Sequence, residues 1–127
     1  MPKAQGNVRV LLVDDHPDTL ELQAMVLRKH GYEVETAEDA RTAMAIAQDK
    51  PLDLVISDIR LPDRDGFALM QDLKQAHGLQ GIALTGSAQA EDRSRGAETG
   101  FVRYMVKPVP PEQLLDAIKA LTSSRNG

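Results

Sequence analysis

The sequence predicts an α/β fold: a mostly parallel five-stranded sheet that is covered by helices on both faces. Short apolar runs alternate along the chain with segments whose apolar residues recur every three or four positions, a pattern that is typical of strands alternating with amphipathic helices. The first and third runs lack apolar–polar alternation, as expected for strands that are buried on both faces. Right-handed βαβ units connect such strands.

The first half of the chain predicts two strands and two helices. Residues 8–13 form a strand rich in β-branched residues, Pro17 suits the first turn of the following helix, and Gly31 suits its end. A second strand covers residues 32–36. The apolar positions that mark the two helices are Leu20, Ala24 and Leu27 in the first, and Ala40, Ala43, Met44 and Ala47 in the second.

The second half repeats the alternation. Strands are predicted at residues 54–56, 82–84 and 102–106. A helix follows the loop at 61–66, and the last helix begins near Pro110. The apolar positions of these helices are Phe67, Leu69, Met70 and Leu73, then Leu114, Leu115, Ile118 and Leu121. The intervening residues 87–99 offer only three alanines as apolar contacts, so we expect the fourth helix to be weakly anchored and mobile.

Length and composition indicate one domain, which we place at residues 8–121 between a frayed N-terminus (1–7) and a C-terminal tail (122–127). The chain has 127 residues, a net charge of −4 and no cysteine. These values argue against a nucleic-acid surface, disulfides and thiolate metal sites. No apolar run approaches the roughly 20 residues of a membrane span, and the first seven residues lack the hydrophobic stretch that is expected of a signal peptide. A cytoplasmic protein is expected.

Charged and polar residues stand at four of the five predicted strand ends. They are Asp14 and Asp15, Asp58, Thr85, and Lys107. In an open parallel sheet, ligands bind beyond these ends, where the strand order reverses. Two carboxylates about 4 Å apart repel by roughly 4 kcal/mol at an effective dielectric near 20. A divalent cation together with Lys107 would offset three carboxylates, and oxygen ligands of this kind suit Mg²⁺.

Four motifs in this order resemble the receiver domains of response regulators in two-component signalling. They are Val-Asp-Asp-His at 13–16, Ser-Asp-Ile-Arg-Leu-Pro-Asp-Arg-Asp-Gly at 57–66, Leu-Thr-Gly at 84–86 and Tyr-Met-Val-Lys-Pro at 104–108. The resemblance covers about residues 8–121. Details at 83–86, 91–93, 100–101 and 106–109 are more similar to the receivers of hybrid histidine kinases. The resemblance implies a flavodoxin-like (βα)5 three-layer sandwich with strand order 2-1-3-4-5.

The resemblance also implies a role for each site residue. Asp58 would be the phosphoacceptor, and Mg²⁺, or Mn²⁺ in its place, would be bound by Asp15, Asp58 and the backbone carbonyl of Arg60, with Asp14 acting through water. The phosphoryl-binding and switch residues would be Thr85, Lys107 and Tyr104, and the peptide bond before Pro108 is expected to be cis. As a separate hypothesis, Arg60 and Ser87 set the lifetime of the phosphoryl group.

The expected function is that of a phosphoryl-accepting signalling domain. It would not be a conventional enzyme, but it would assist its own phosphorylation and dephosphorylation. Phosphorylation would switch the surface formed by the fourth predicted helix, the fifth strand and the last helix. The expected partner is a histidine kinase or a phosphotransfer domain, with an unidentified effector, a weak homodimer and no direct contact with nucleic acid or membrane. The chain would be a stand-alone regulator or part of a larger protein.

Three other functions remain open at this point. A Mg²⁺-dependent phosphatase would carry Asp-x-Asp directly after the first strand, where this chain has Asp14-Asp15 followed by His16. A flavin-binding module would need a phosphate-cradling loop there, and two carboxylates would repel a phosphate. A phosphorylation-independent interaction domain would not need every acidic, hydroxyl and lysine position. The three histidines, His16, His30 and His77, are interpreted as surface or cap residues without a metal partner.

Overall fold

A computed structural model describes residues 8–86 and 100–126, within which five strands and four helices follow one another. In chain order these are β1 (Arg9–Val13), α1 (Pro17–Lys29), β2 (Glu33–Ala37), α2 (Ala40–Asp49), β3 (Leu54–Asp58), α3 (Gly66–His77), β4 (Gly81–Thr85), β5 (Phe101–Val106) and α4 (Pro111–Asn126). The helix predicted at 87–99, together with Ser87, lies outside the described residues.

All five strands belong to one parallel sheet in the order β2-β1-β3-β4-β5. The predicted fold is therefore confirmed. The chain turns to one side of β1 to form β2 and to the other side to form β3, so the strand order reverses at β1. In register, Val13 lies beside Ala37 and Ser57, and Thr85 lies beside Val106. This register brings the carboxyl ends of the strands to one edge of the sheet.

Alternate residues of the strands enter two separate apolar cores, one on each face. Leu11 of β1 packs with α2 and α3, whereas Leu12 packs with α1 and α4. The predicted helix positions lie in these cores: Leu20, Ala24 and Leu27 of α1, Ala40, Ala43 and Ala47 of α2, and Phe67, Leu69, Met70 and Leu73 of α3 are buried. Burial of apolar surface on both faces at roughly 25 cal/mol per Å² is what holds a sheet of this type together.

The last helix is longer than the sequence pattern predicted. It continues to Asn126, although we expected a tail from residue 122. Residues 112–126 contain no Gly or Pro, so nothing in the local sequence ends the helix earlier. The hydroxyl of Thr122 donates a hydrogen bond of 2.8 Å to the carbonyl of Ile118 in the preceding turn. Across the described residues, no helix has the length and apolar character needed to cross a bilayer.

The turn into α3 packs tightly against the end of β3. The amide of Gly66 donates a 2.6 Å hydrogen bond to the carbonyl of Ile59. The Asp65 carboxylate caps the helix by accepting from the amide of Phe67 at 2.7 Å. A Cβ atom on Gly66 would overlap the backbone carbonyl of Asp58 and the backbone of Ile59. Glycine is therefore required here by the close approach of two backbone segments.

We expect Gly66→Ala to destabilise the fold by about 1–3 kcal/mol, because the added methyl group meets backbone atoms that cannot move aside. Urea unfolding would show a lower midpoint at an unchanged slope. Gly86→Ala is the control, since no described atom lies within 4 Å of a Cβ atom built there. Equal stability of the two variants would contradict this account of the turn.

Candidate functional site

Five polar residues follow or end four neighbouring strands, and the parallel sheet brings them to one edge. Asp14 and Asp15 follow β1, Asp58 ends β3, Thr85 ends β4, and Lys107 follows β5. Asp14, Asp58 and Thr85 are buried, whereas Asp15 is exposed. Buried carboxylates require a compensating charge or hydrogen bonds, so the partners of these residues decide what the site can do.

Lys107 bridges two of the carboxylates. Its Nζ atom lies 2.8 Å from Oδ2 of Asp58 and 3.1 Å from Oδ2 of Asp14. The backbone fixes the start of this side chain, because the amide of Lys107 donates a 2.8 Å hydrogen bond to the carbonyl of Thr85. The peptide bond between Lys107 and Pro108 is cis. The lysine therefore lies between the carboxylates at the ends of β1 and β3.

The contacts of Lys107 and Asp14 shift the pKa values of these two residues in the direction that keeps each of them charged. Burial favours the neutral form of Lys107, but hydrogen bonding to Asp58 and the charges of Asp58 and Asp14 outweigh it and raise the pKa of the ammonium group. For Asp14, burial acts to raise the pKa, but hydrogen bonds from His16 and the nearby Lys107 lower it below its usual value. The pair is therefore ionised at neutral pH.

His16 also belongs to this cluster, which the sequence interpretation missed. Its Nδ1 atom lies 2.9 Å from Oδ1 of Asp14 and 3.2 Å from Oδ1 of Asp15. The backbone amide of His16 donates to the same Asp14 oxygen at 2.9 Å. The statement that no histidine has a metal-binding neighbour is thus wrong for His16. The signal in the sequence was its position directly after two aspartates at a strand end.

The backbone around Asp58 orients its carboxylate. Its Oδ1 atom accepts a 3.3 Å hydrogen bond from the amide of Arg60. The buried hydroxyl of Ser57 donates to the Asp58 carbonyl at 2.9 Å. Arg60 forms an isolated antiparallel bridge with Asp65, and its side chain is exposed. The carboxylate thus has one oxygen directed to Lys107 and the other to the backbone.

The residues of this edge fit a divalent cation that prefers oxygen ligands. One ligand atom from each of Asp14, Asp15, His16 and Asp58 lies within 4.8 Å of the others. Three carboxylates carry a charge of −3, and Lys107 contributes +1, so the cluster retains a negative charge that a divalent ion would balance. Carboxylate oxygens with room for water are the surroundings in which Mg²⁺ binds.

Tyr104 lies in β5, three residues before Lys107. It is half-buried in the core on the α2–α3 side. Its ring packs edge-on against Phe101, with the ring centroids 6.2 Å apart. Thr85 is buried at the end of β4, and its carbonyl is the acceptor for the Lys107 amide. Of the predicted site residues, Lys107 is therefore in direct contact with Asp14 and Asp58, and Tyr104 packs on Phe101.

We expect Lys107→Met to bind Mg²⁺ more tightly than the wild type while its metal-free form is less stable. Charges of +1 and +2 about 6 Å apart repel by roughly 1.4 kcal/mol in water, which corresponds to about tenfold in affinity. Loss of the ammonium group leaves the buried carboxylates of Asp14 and Asp58 uncompensated, at a cost of about 3 kcal/mol. Calorimetric titration and thermal unfolding without metal would measure both effects.

Lys50→Met is the matched control for this experiment. Lys50 pairs with Glu35 at 3.1 Å and is exposed, so its replacement removes the same side chain and charge from another part of the surface. It should leave the Mg²⁺ affinity almost unchanged. An affinity for Lys107→Met equal to or weaker than that of the wild type would contradict the placement of a cation beside this lysine.

Most of the chain is similar to one family of known proteins. The family model described as the response regulator receiver domain matches residues 10–119. The solved structure of a response regulator receiver domain protein (CheY-like) from Methanospirillum hungatei superposes with a TM-score of 0.89 at 33% sequence identity. That match covers 95% of this chain and 98% of the other. The sequence match and the structural match thus indicate the same family.

Two curated relatives are longer proteins. The probable transcriptional regulatory protein TcrX of Mycobacterium tuberculosis is 36% identical over 95% of this chain, which spans 53% of that protein. The sensor histidine kinase RcsC of Salmonella typhi is 35% identical over 91% of this chain, which spans 12% of that protein. The similarity to receivers carried by histidine kinases, expected from the sequence, therefore has a counterpart among these relatives.

Proposed function

This chain belongs to the response regulator receiver domain family, and on that premise we propose that Asp58 is the residue on which it accepts a phosphoryl group. The domain is a phosphoryl-accepting signalling domain of two-component systems. The observation that carries the residue assignment is the contact of Lys107 with both Asp58 and Asp14. This contact brings the ends of β1, β3 and β5 together around the carboxylate of Asp58.

Asp58 is suited to act as the nucleophile. One of its carboxylate oxygens attacks the phosphorus atom of a phosphohistidine or a small acyl phosphate, and the bond from phosphorus to the donor nitrogen or oxygen breaks. The donor leaves with that electron pair, and an aspartyl phosphate remains. No proton has to be removed from an ionised carboxylate, so no separate base is required. The protein assists by placing charged groups around the transferred phosphoryl group.

The neighbouring residues bind the product. Lys107, which is already 2.8 Å from Asp58, would pair with one phosphoryl oxygen, and the hydroxyl of Thr85 would hydrogen-bond another. Asp15, Asp58 and the Arg60 carbonyl would hold Mg²⁺, with Asp14 acting through water. The ion, when bound, supplies the positive charge that neutralises the phosphoryl oxygens. The same arrangement would serve attack by water, so the domain would also assist its own dephosphorylation.

Phosphorylation would change the surface beside β5. The new group adds nearly two negative charges and strong hydrogen-bond acceptors. Thr85 would move towards it, and Tyr104, which now packs on Phe101 at the half-buried end of the core, would turn into the space that Thr85 leaves. An effector that binds the β5–α4 side would then distinguish the two forms.

The proposed partners follow from the chemistry of transfer. A histidine kinase or a phosphotransfer domain would supply the phosphoryl group, and the domain would act in the cytoplasm. We propose that the receiver domain covers at least residues 8–121, with 1–7 and the end of α4 as flanking segments. Weak self-association is also proposed. The effector is unidentified, and a net charge of −4 disfavours direct contact with nucleic acid.

Incubation with acetyl phosphate and Mg²⁺ should add a single phosphoryl group to the wild type, and Asp58→Asn should prevent it. Intact mass measured over time gives the result directly. Removal of Mg²⁺ by a chelator should slow the reaction strongly. Without the positive charge of the ion, the carboxylates of the site repel the negative phosphoryl oxygens.

Asp49→Asn, an exposed carboxylate at the end of α2, is the control and should be phosphorylated like the wild type. A phosphoryl adduct that forms equally well on Asp58→Asn would refute the assignment. Continuous turnover of phosphomonoesters by the wild type would instead favour a phosphatase.

Arg60→Ala should lose its phosphoryl group severalfold faster than the wild type. The exposed side chain of Arg60 follows a backbone amide that already contacts Asp58 at 3.3 Å, so its guanidinium group can shield the phosphoryl group from water. Arg64→Ala is the control from the same loop, because Arg64 is paired with Asp72 at 2.8 Å. An unchanged rate of phosphate loss in Arg60→Ala would end the hypothesis for this residue. Ser87, its counterpart, needs the same test by substitution.

A further inference from the structure

Asp63 makes a long-range contact for which the proposed mechanism gives no role. It lies in the loop between β3 and α3, and its two carboxylate oxygens accept hydrogen bonds of 2.9 Å each from the amides of Ala40 and Arg41. These amides form the first turn of α2, 23 and 22 positions earlier in the chain. A carboxylate at this end of a helix is favoured by both the unpaired amides and the helix dipole.

The helix α2 already has a cap of its own. Asp39 accepts a 2.8 Å hydrogen bond from the amide of Thr42, and the Asp39 carbonyl accepts from the amide of Ala43. Asp63 takes the two remaining amides of the first turn. The helix end is therefore shared between a local cap and a residue of another loop, and only the second connects α2 to the neighbourhood of Asp58.

The loop that carries Asp63 also carries Arg60, the residue whose carbonyl is assigned to the cation. The base of this loop is closed by the Arg60–Asp65 bridge and by the hydrogen bond from Gly66 to Ile59. Its middle, where Asp63 lies, is attached to α2. The hydrogen bonds of Asp63 therefore restrain the loop and oppose displacement of the Arg60 backbone.

The other end of this connection reaches Asp14. The strand β2 ends at Ala37, shortly before α2 begins. The carbonyl of Ala37 accepts a 3.1 Å hydrogen bond from the amide of Asp14. Asp63 thus ties the loop that follows Asp58 to the segment that holds the backbone of Asp14. Asp63 therefore adds a connection between the two sides of the carboxylate cluster to those made by Lys107 and by the pairing of β1 with β3.

We propose that Asp63 is a positioning residue of the cation site: its bidentate contact with the start of α2 holds the Arg60 carbonyl and the Asp14 backbone in the relative position that Mg²⁺ requires. This inference rests on the proposed function. Residues one step removed from metal ligands commonly alter metal affinity by about 10–100-fold. Because Asp63 acts through the backbone rather than on a ligand atom, its effect is smaller, and we expect about 3- to 10-fold.

The test is calorimetric titration of the phosphate-free protein with Mg²⁺, and the variants are Asp63→Asn, Asp63→Ala and Asp39→Ala. Asp39→Ala removes a hydrogen bond from the same helix end without touching the loop. All three should lower the melting temperature by a few degrees, as for the loss of a helix cap. Only the Asp63 variants should weaken Mg²⁺ binding, with Asp63→Ala weakening it most. Faster exchange of the Ala40 and Arg41 amides should accompany the loss.

Two results would overturn the proposal while leaving the proposed function intact. The first is wild-type Mg²⁺ affinity in both Asp63 variants, which would make Asp63 a helix cap alone. The second is an equal loss of affinity in Asp39→Ala, which would assign the effect to general weakening of α2. A wild-type protein that binds no Mg²⁺ would overturn the cation site itself and this inference with it. Phosphorylation of Asp58 measured in parallel distinguishes the failures.

Discussion

The site depends on one ammonium group between two buried carboxylates. The side chain of Asp14 is 1% exposed and that of Asp58 is 11% exposed, and two such charges would repel strongly without a cation between them. Lys107 contacts both and reaches them from a third strand. The contact forms only if the carboxyl ends of β1, β3 and β5 lie at the same level. The ion pairs of Lys107 therefore depend on the register of the strands from β1 to β5.

This arrangement leaves the cluster only partly neutralised. Lys107 compensates one of three carboxylates, and His16 contacts Asp14 and Asp15 from the exposed side. A fully neutral site would have little affinity for a divalent ion, whereas three carboxylates without Lys107 would destabilise the fold. On the proposed function, this balance would allow the negative edge to admit first a cation and then a phosphoryl group. The packed turn at Gly66 and the cap by Asp63 keep that edge in shape.

The elements that the sequence predicted best are those with local signals. The continuous apolar run of β3 predicted burial on both faces, and every residue of Leu54–Asp58 is buried. In β5, by contrast, Val102 and Val106 are exposed. The strand lies at the end of the sheet order, and its exposure depends on what neighbours it. The end of α4 was misplaced because no helix-breaking residue marks it.

The sequence by itself determined the order of the described strands and helices and the residues at the strand ends, because periodicity and turn residues act over a few positions. It also determined the family, through four short motifs. Only the tertiary structure decided that Lys107 contacts Asp14 across 93 positions, that His16 turns towards both aspartates, and that Asp63 caps a helix 23 positions earlier. Such contacts depend on side-chain direction and on which segments meet in space, and no local pattern encodes either.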